Sequence, residues 1–359
     1  ETLKKAMAAI DTRHKGITFQ FISKPSEELL KEVFDNLIDP PERGYFPYFS
    51  DDSCVSILLK NGKVLRANVD ISGCDASHRN GVFELLIEFC PDNLRPGLID
   101  LLDQLKKTIR IYKLVNGKMD RNTFVDLVRA VLGDYTLYSG HTATTLVNNI
   151  ANLMIGLEIA RIDPNLWTVD NFCELIIAAA ANAGYVVTVD VAQRIEDLQF
   201  LKHSPAFDIK GIARPVLNFG VFQRSCGQCK RDLPGRGDLE DRIQAFNNAF
   251  INGCYPRTHT PILEIIRRNF NAHTTTATNK ALMEETVSKS LRYKVEKEDA
   301  MPHRYFTTQD FFRRYRLDGR ELTELERLAT LAEAHISLSS TGIHKIFQKD
   351  YDLSCPVFD

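Results

Sequence analysis

Asn61-Gly62 stands between two β-prone runs, Asp52 to Leu59 (DSCVSILL) and Val64 to Asp70 (VLRANVD), and it restricts the fold of this chain more tightly than any other feature. The pair is a strong hairpin-turn signal, so the two runs are expected to return on one another as antiparallel strands. Their lengths are nearly equal. Folding at Asn61-Gly62 therefore carries Asp51 and Asp52 to the sheet end that holds Asp70. Taken alone, Ser50-Asp51-Asp52 also fits a solvated turn, because Ser and Asp are common turn residues.

Beyond Asp70 the chain continues ISGCDASH, which puts Asp75 in the turn into a helix running through Val82, Phe83, Leu85, Leu86 and Phe89, with Ser77 as its expected N-cap. Further on, SGHTATTLVNN (Ser139 to Asn149) joins a Ser-Gly turn to a second helix. Thr144, Asn148 and Asn152 recur every four residues and form one polar row. Leu146, Ile150, Leu153 and Leu157 form the apolar stripe expected to face the core. A Thr/Asn row by itself is the usual solvated side of an amphipathic helix. It gains meaning from the acids upstream.

A strand, Asp-x4-Asp, a helix, and then Ser-Gly-x3-Thr-x3-Asn on a later helix resembles motifs A and B of viral RNA-dependent RNA polymerases. Ser50-Asp51-Asp52 resembles their motif C, with Ser in the first place of the common Gly-Asp-Asp. It precedes motif A here, and this C-A-B order is similar to the permuted palm of permutotetravirus and birnavirus polymerases. The resemblance implies an α+β right-hand palm, an antiparallel sheet flanked by helices, with partial fingers and a helical thumb. It implies Asp70, Asp51 and Asp52 as catalytic residues and ligands of two Mg²⁺ (or Mn²⁺) ions. It assigns Asp75, Ser139, Gly140, Thr144 and Asn148 to the nucleotide and its ribose 2′-hydroxyl. Two such ions lie about 3.5–4 Å apart and clamp the attacking and leaving oxygens.

Downstream, Phe172 to Ala183 reads as a buried helix ended by Gly184, and Tyr185 to Val191 as a strand, in the manner of motif D. The family's usual Lys is replaced there by Asp190, Gln193 and Arg194, which leaves the general acid open. Phe200-Leu201-Lys202-His203 resembles motif E and implies that Lys202 and His203 hold the primer strand. The basic motif F has no counterpart. Arg13, Lys15, Lys24, Lys31 and Arg43 lack its spacing, and the chain begins at Glu1, which suggests a piece of a longer polymerase.

With 359 residues, 44% of them hydrophobic, the chain can build one large core or two. No apolar run approaches the roughly 20 residues that span a bilayer, and no signal pattern appears, so a viral protein of the host cytoplasm or virion is expected. Net charge is −2, so RNA binding must rest on local patches. Candidates are Arg224, Lys230, Arg231 and Arg236; Arg267 and Arg268; and Arg313, Arg314, Arg316 and Arg320 interleaved with Phe311, Phe312 and Tyr315. The last group suits either base stacking or an amphipathic helix. Eight scattered cysteines argue for free thiols, Cys74 among them as a packed one. Cys226-x2-Cys229 offers half a zinc site, with Cys254, His259 or His203 as partners.

The expected organisation is a helical or fingers segment over residues 1–44, a palm over 45–208 with a fingers insertion at about 91–137, and a thumb over 209–359. Thumb helices are expected over Asp238 to Phe250, Pro261 to Asn269, Asn279 to Tyr293 and Glu321 to His335. The expected activity is RNA-templated RNA synthesis, with RNA template and primer, NTPs and other viral replication proteins as partners. A reverse transcriptase is disfavoured by Asp75 with Asn148, since that class usually excludes the 2′-hydroxyl with a bulky residue. A non-catalytic palm that binds RNA or replication proteins is the alternative of another class.

Overall fold

The computed structural model describes residues 13–22, 26–107, 109–115, 118–127, 134–138, 141–226, 262, 265–266, 306–331 and 338–351. Two compact units emerge, one of Glu1–Lys24 with Asn36–Gln193, the other of Pro25–Asp35 with Arg194–Asp359. Among the described residues no helix is long and apolar enough to cross a membrane.

The first unit begins with β1 (Arg13–His14) and β2 (Ile17–Phe21). The chain passes through α1 (Glu27–Ile38) before β3 (Gly44–Phe49), β4 (Asp52–Leu58) and β5 (Val64–Ile71). Next come α2 (Cys74–Ser77), α3 (Asn80–Glu88) and α4 (Arg95–Asp103), a separate two-stranded sheet of β6 (Ile109–Val115) and β7 (Lys118–Leu127), then α5 (Thr144–Arg161), α6 (Phe172–Asn182) and β8 (Val187–Val191). The main sheet has six strands in the order β1-β2-β3-β4-β5-β8. The architecture is mixed α+β. One pair departs from the antiparallel sheet expected, because β2 runs parallel to β3. Residues before Gly44 thus supply two strands of this sheet as well as the helix α1 in the segment expected to be helical or part of the fingers.

The hairpin of β4 and β5 forms as its turn signal requires, with Asp52 opposite Asp70 and Leu58 opposite Val64. Leu59 N–H bonds the Lys63 carbonyl, Gly62 takes φ 81°, and the Asn61 carboxamide oxygen accepts from Lys63 N–H. Alternation along β5 sends Leu65, Ala67, Val69 and Ile71 into the core shared with α3, α5 and α6. Arg66, Asn68 and Asp70 take the opposite face. α5 approaches the sheet so closely that a Cβ on Gly156 would lie 2.7 Å from the Phe19 ring. Only glycine fits there. α6 ends in a Schellman turn, in which Tyr185 N–H bonds the Ala180 carbonyl and Gly184, at φ 87°, bonds that of Ala181.

Two local expectations are corrected. Ser77 does not cap α3, because its hydroxyl turns back to the Cys74 carbonyl and closes the short α2, while Arg79 holds the cap position. On α5 the buried positions are Val147, Ile150, Ala151, Ile155, Gly156, Ile159 and Ala160 together with Asn148, Asn149 and Asn152; of the expected stripe Ile150 is buried, whereas Leu146, Leu153 and Leu157 are only partly covered. The asparagine face is therefore interior rather than solvated.

In the second unit β9 (His203–Phe207) pairs antiparallel with β10 (Ala213–Leu217). They are followed by α7 (Phe219–Cys226), α8 (Thr308–Phe312), α9 (Gly319–Thr330) and α10 (Thr341–Tyr351). The pairing of β9 with β10 puts the motif-E-like segment in this unit, which begins at Arg194, ahead of the expected palm boundary at residue 208. α9 starts at a capping box in which Asp318 accepts from Glu321 N–H and Glu321 accepts from Asp318 N–H. Of the expected thumb helices, Asp238 to Phe250 and Asn279 to Tyr293 lie outside the described residues.

The Arg-aromatic cluster is not a stacking surface. Phe311, Phe312 and Tyr315 are buried, and Arg314 is buried with them, its Nε on Asp350 at 3.1 Å and its Nη1 on the Glu196 carbonyl at 2.9 Å. Arg313 and Arg316 pair with Glu196 and Asp197. The interleaving encodes a core with one buried ion pair, Arg314 with Asp350, while the Arg313 and Arg316 side chains stay exposed.

Candidate functional site

β3 and β4 are joined by Ser50-Asp51 alone, since Phe49 faces Asp52 across the ladder. A two-residue hairpin loop needs positive φ at its first central position, the place where glycine is preferred, and Ser50 occupies it at φ 55°. For a residue with a Cβ this costs about 1–2 kcal/mol, and such strain persists only where neighbours over-determine it. Three contacts from α5 do so. The Asn149 Oδ1 accepts from Ser50 N–H at 2.7 Å, the Asn152 Nδ2 donates to the Ser50 carbonyl at 2.6 Å, and the Asn148 Nδ2 reaches the Ser50 hydroxyl at 3.4 Å. Asn149 is itself fixed by a bond from its Nδ2 to the Thr145 carbonyl at 2.6 Å.

Directly beyond this turn Asp52 and Asp70 are cross-strand partners, so their side chains project from the same face of the sheet. Like charges placed opposite one another destabilise a sheet, and a cation shared between them reverses that sign. Asp51, Asp70 and Asp75 share one neighbour, the Cys74 thiol. The Cys74 thiol feels the fields of Asp51, Asp75 and Asp70, which add to burial in pushing it up to about 12. Cys74 is thus a packed thiol, as expected, and a local gauge of negative charge. Among the described residues no three His, Cys, Asp or Glu groups are close enough to hold an ion alone. Mg²⁺ at sites of this type completes its shell with water and substrate phosphates.

The second half of the site is a buried polar chain. Asn148 Nδ2 donates to Asp75 Oδ1 at 3.1 Å, and Asn148 Oδ1 lies 2.7 Å from His78 Nε2. His78 Nδ1 lies 3.2 Å from the Tyr185 hydroxyl. Burial lowers the His78 pKa, although the bond to Asn148 and the charge of Asp75 work against it. Burial raises the Tyr185 hydroxyl. On the face of β5 away from the core, Asn68 Nδ2 donates to Asp190 Oδ2 on β8 at 3.2 Å.

Compared with known proteins, the chain matches no protein family and no curated protein.

Asp52 faces Asp70 across the ladder, Asn148 bonds Asp75, and Asp51, Asp70 and Asp75 all act on the Cys74 thiol, while the other expected residues fare differently. Thr144 opens α5, and its hydroxyl bonds the Tyr138 carbonyl at 3.4 Å instead of joining the Asn148 chain. Ser139 and Gly140 lie outside the described residues, as do Cys229, Cys254 and His259 of the expected zinc site. Leu201 and Lys202 form a tight turn, both with positive φ, between the mutually bonded Phe200 and His203. The Lys202 ammonium lies over the Tyr351 ring at 5.6 Å. His203 is 1% exposed, with its Nδ1 at 2.8 Å from the Leu201 carbonyl. Asn149 and His78 were not foreseen. Asn149 carried one faint signal, its place beside Asn148 between Val147 and Ile150.

Proposed function

We propose that this chain carries the catalytic centre of an RNA-directed RNA polymerase with a permuted palm. One observation carries the reading: the α5 asparagines hold the Ser50-Asp51 turn while Asn148 also bonds Asp75. Metal-binding turn, first-acid strand and ribose-reading pair are thereby one assembly, joined in the order C, A, B. Asp70 and Asp51, with Asp52 opposite Asp70, would hold Mg²⁺ or Mn²⁺, and their oxygen-only donor set suits such hard ions. The bound ions would supply charge neutralisation at the α-phosphate. The chain's own residues fix the carboxylates in place before substrate arrives, and such preorganisation is the protein's main contribution to phosphoryl transfer.

Asp75 accepts and Asn148 donates, a complementary pair for a 2′-hydroxyl, which both donates and accepts. This favours ribonucleotides over deoxyribonucleotides and speaks against a reverse transcriptase. RNA template and primer, with NTPs, are the proposed substrates. The test is primer extension on an RNA template with Mg²⁺ or Mn²⁺. Wild type is expected to add NTPs in preference to dNTPs, and Asp70→Asn and Asp51→Asn to abolish addition without unfolding. Addition at wild-type rate by either variant refutes the metal assignment, and no addition by wild type refutes the polymerase reading for this chain.

A further inference from the structure

His78 has no role in the chemistry above, yet its imidazole is 6% exposed and sits in the middle of the polar chain. The direction of each bond in that chain follows from its end. The Asp75 carboxylate only accepts, so the Asn148 carboxamide must turn its NH₂ edge toward it. The carboxamide oxygen then faces His78 Nε2 at 2.7 Å, which requires that nitrogen to carry the proton. Nδ1 is left bare and accepts from the Tyr185 hydroxyl at 3.2 Å. The ring is wedged edge-on against both Phe83 and Tyr185, which leaves it no room to rotate away. The charge acting on the ring is that of Asp75, and the Cys74 thiol lies 4.0 Å from Nε2.

We propose that His78 is a positioning residue for ribose recognition, locking the Asn148 carboxamide with its donor edge toward Asp75 and so toward an incoming 2′-hydroxyl. The proposal rests on the polymerase reading of the site. In this orientation a 2′-hydroxyl donates to Asp75 and accepts from Asn148. A flipped carboxamide presents two acceptors and no donor, and the preference for ribose is lost. Tyr185 completes the lock from β8's side of the sheet by occupying Nδ1, so the opposite tautomer gains nothing there.

The experiment compares kcat/KM for NTP and dNTP in primer extension for wild type, His78→Leu, His78→Gln, Asn148→Ala and the His78→Leu/Asn148→Ala pair. The Gln amide nitrogen can donate where Nε2 does. His78→Leu is expected to lose about tenfold of the ribose preference, the scale of one hydrogen bond, chiefly through a raised KM for NTP. His78→Gln should keep the preference within about twofold of wild type, and His78→Leu should add no loss in the Asn148→Ala background. Unchanged discrimination in His78→Leu, or additive losses in the pair, overturns the proposal. If wild type adds no nucleotide, the polymerase reading fails first. The lock is then judged by the imidazole ¹⁵N spectrum at pH 7, where protonated Nε2 and bare Nδ1 support it, and the opposite tautomer or an imidazolium overturns it.

Discussion

Asn149 and Asn152 each give one hydrogen bond to Ser50, but the consequences of removing them differ. Asn149 is fully satisfied: its oxygen accepts from Ser50 N–H and its nitrogen donates to the Thr145 carbonyl. Asn149→Ala deletes two bonds worth about 1 kcal/mol each and strands a part-buried N–H, for a loss of about 2–3 kcal/mol. Asn152 donates to the Ser50 carbonyl, but among the described residues its own buried Oδ1 has no partner. Burying an unpaired oxygen already costs about 1–3 kcal/mol, and Asn152→Ala removes that cost along with the bond, leaving a net loss of about 0–1 kcal/mol. The chain's single tryptophan, Trp167, is packed in the core of the first unit and reports its unfolding in urea. With a slope near 2 kcal/mol per molar, Asn149→Ala should lower the midpoint by about 1 M and Asn152→Ala by less than about 0.5 M. Both should slow nucleotide addition, since each frees one side of a turn held at φ 55°. Asn152→Ala is thus expected to separate activity from stability. A midpoint loss for Asn152→Ala equal to or larger than that for Asn149→Ala refutes the reasoning.

The remaining expectations concern charge. With its thiol pushed up to about 12 by burial and three carboxylates, Cys74 stays a thiol at pH 8.5, so alkylation should reach the partly exposed Cys173 long before it. Equal labelling rates by mass spectrometry would remove the carboxylates from its surroundings. Burial lowers the pKa of both His78 and His141 below their unfolded value near 6.5, so below that pH the unfolded chain binds more protons and the first unit loses stability as pH falls. The Trp167 midpoint should drop from pH 7.5 to 5.5 and drop less in His78→Gln, and a flat profile contradicts this. In the second unit, Arg314→Met leaves the buried Asp350 without its cation and should cost about 3–5 kcal/mol by calorimetry. A cost under 1 kcal/mol would mean that the pair does not hold that core together.

The main sheet was legible where local chemistry decides it. Asn61-Gly62 and two alternating runs specify β4 and β5, and Gly184 specifies where α6 stops. The strands ahead of them were not foreseen, because β2 is set by its parallel pairing with β3 across a helix, a contact that no short window of sequence contains. α5 was misread for a different reason. Periodicity counts apolar residues, and after Ile150 this helix is apolar on nearly every side, so the stripe through Leu146, Leu153 and Leu157 matched as well as the one that is buried. The face that wins is chosen by Gly156, which lets the backbone approach Phe19 and Phe46, and by what the asparagines meet.

At the site, the acids could be placed from sequence because a hairpin register is a local property, whereas their support could not. Asn148, Asn149 and Asn152 find Ser50 at separations of 98, 99 and 102 residues, and His78 finds Asn148 at 70. Three buried carboxamides in a row look like solvated polarity until their partners are known, since burying an unpaired amide costs kilocalories and sequence reading assigns it to the surface by default. The same fact explains how Ser can stand where glycine is usual. Glycine would relax the turn and lose backbone entropy on folding, and Ser accepts the strain but adds a hydroxyl for Asn148 to grip. That hydroxyl makes the turn sense the carboxamide that also touches Asp75, so the residues proposed to hold metal and the residues proposed to read ribose share a single side chain. A substitution at Asn148 should therefore disturb both, whereas one at His78 should disturb only the second.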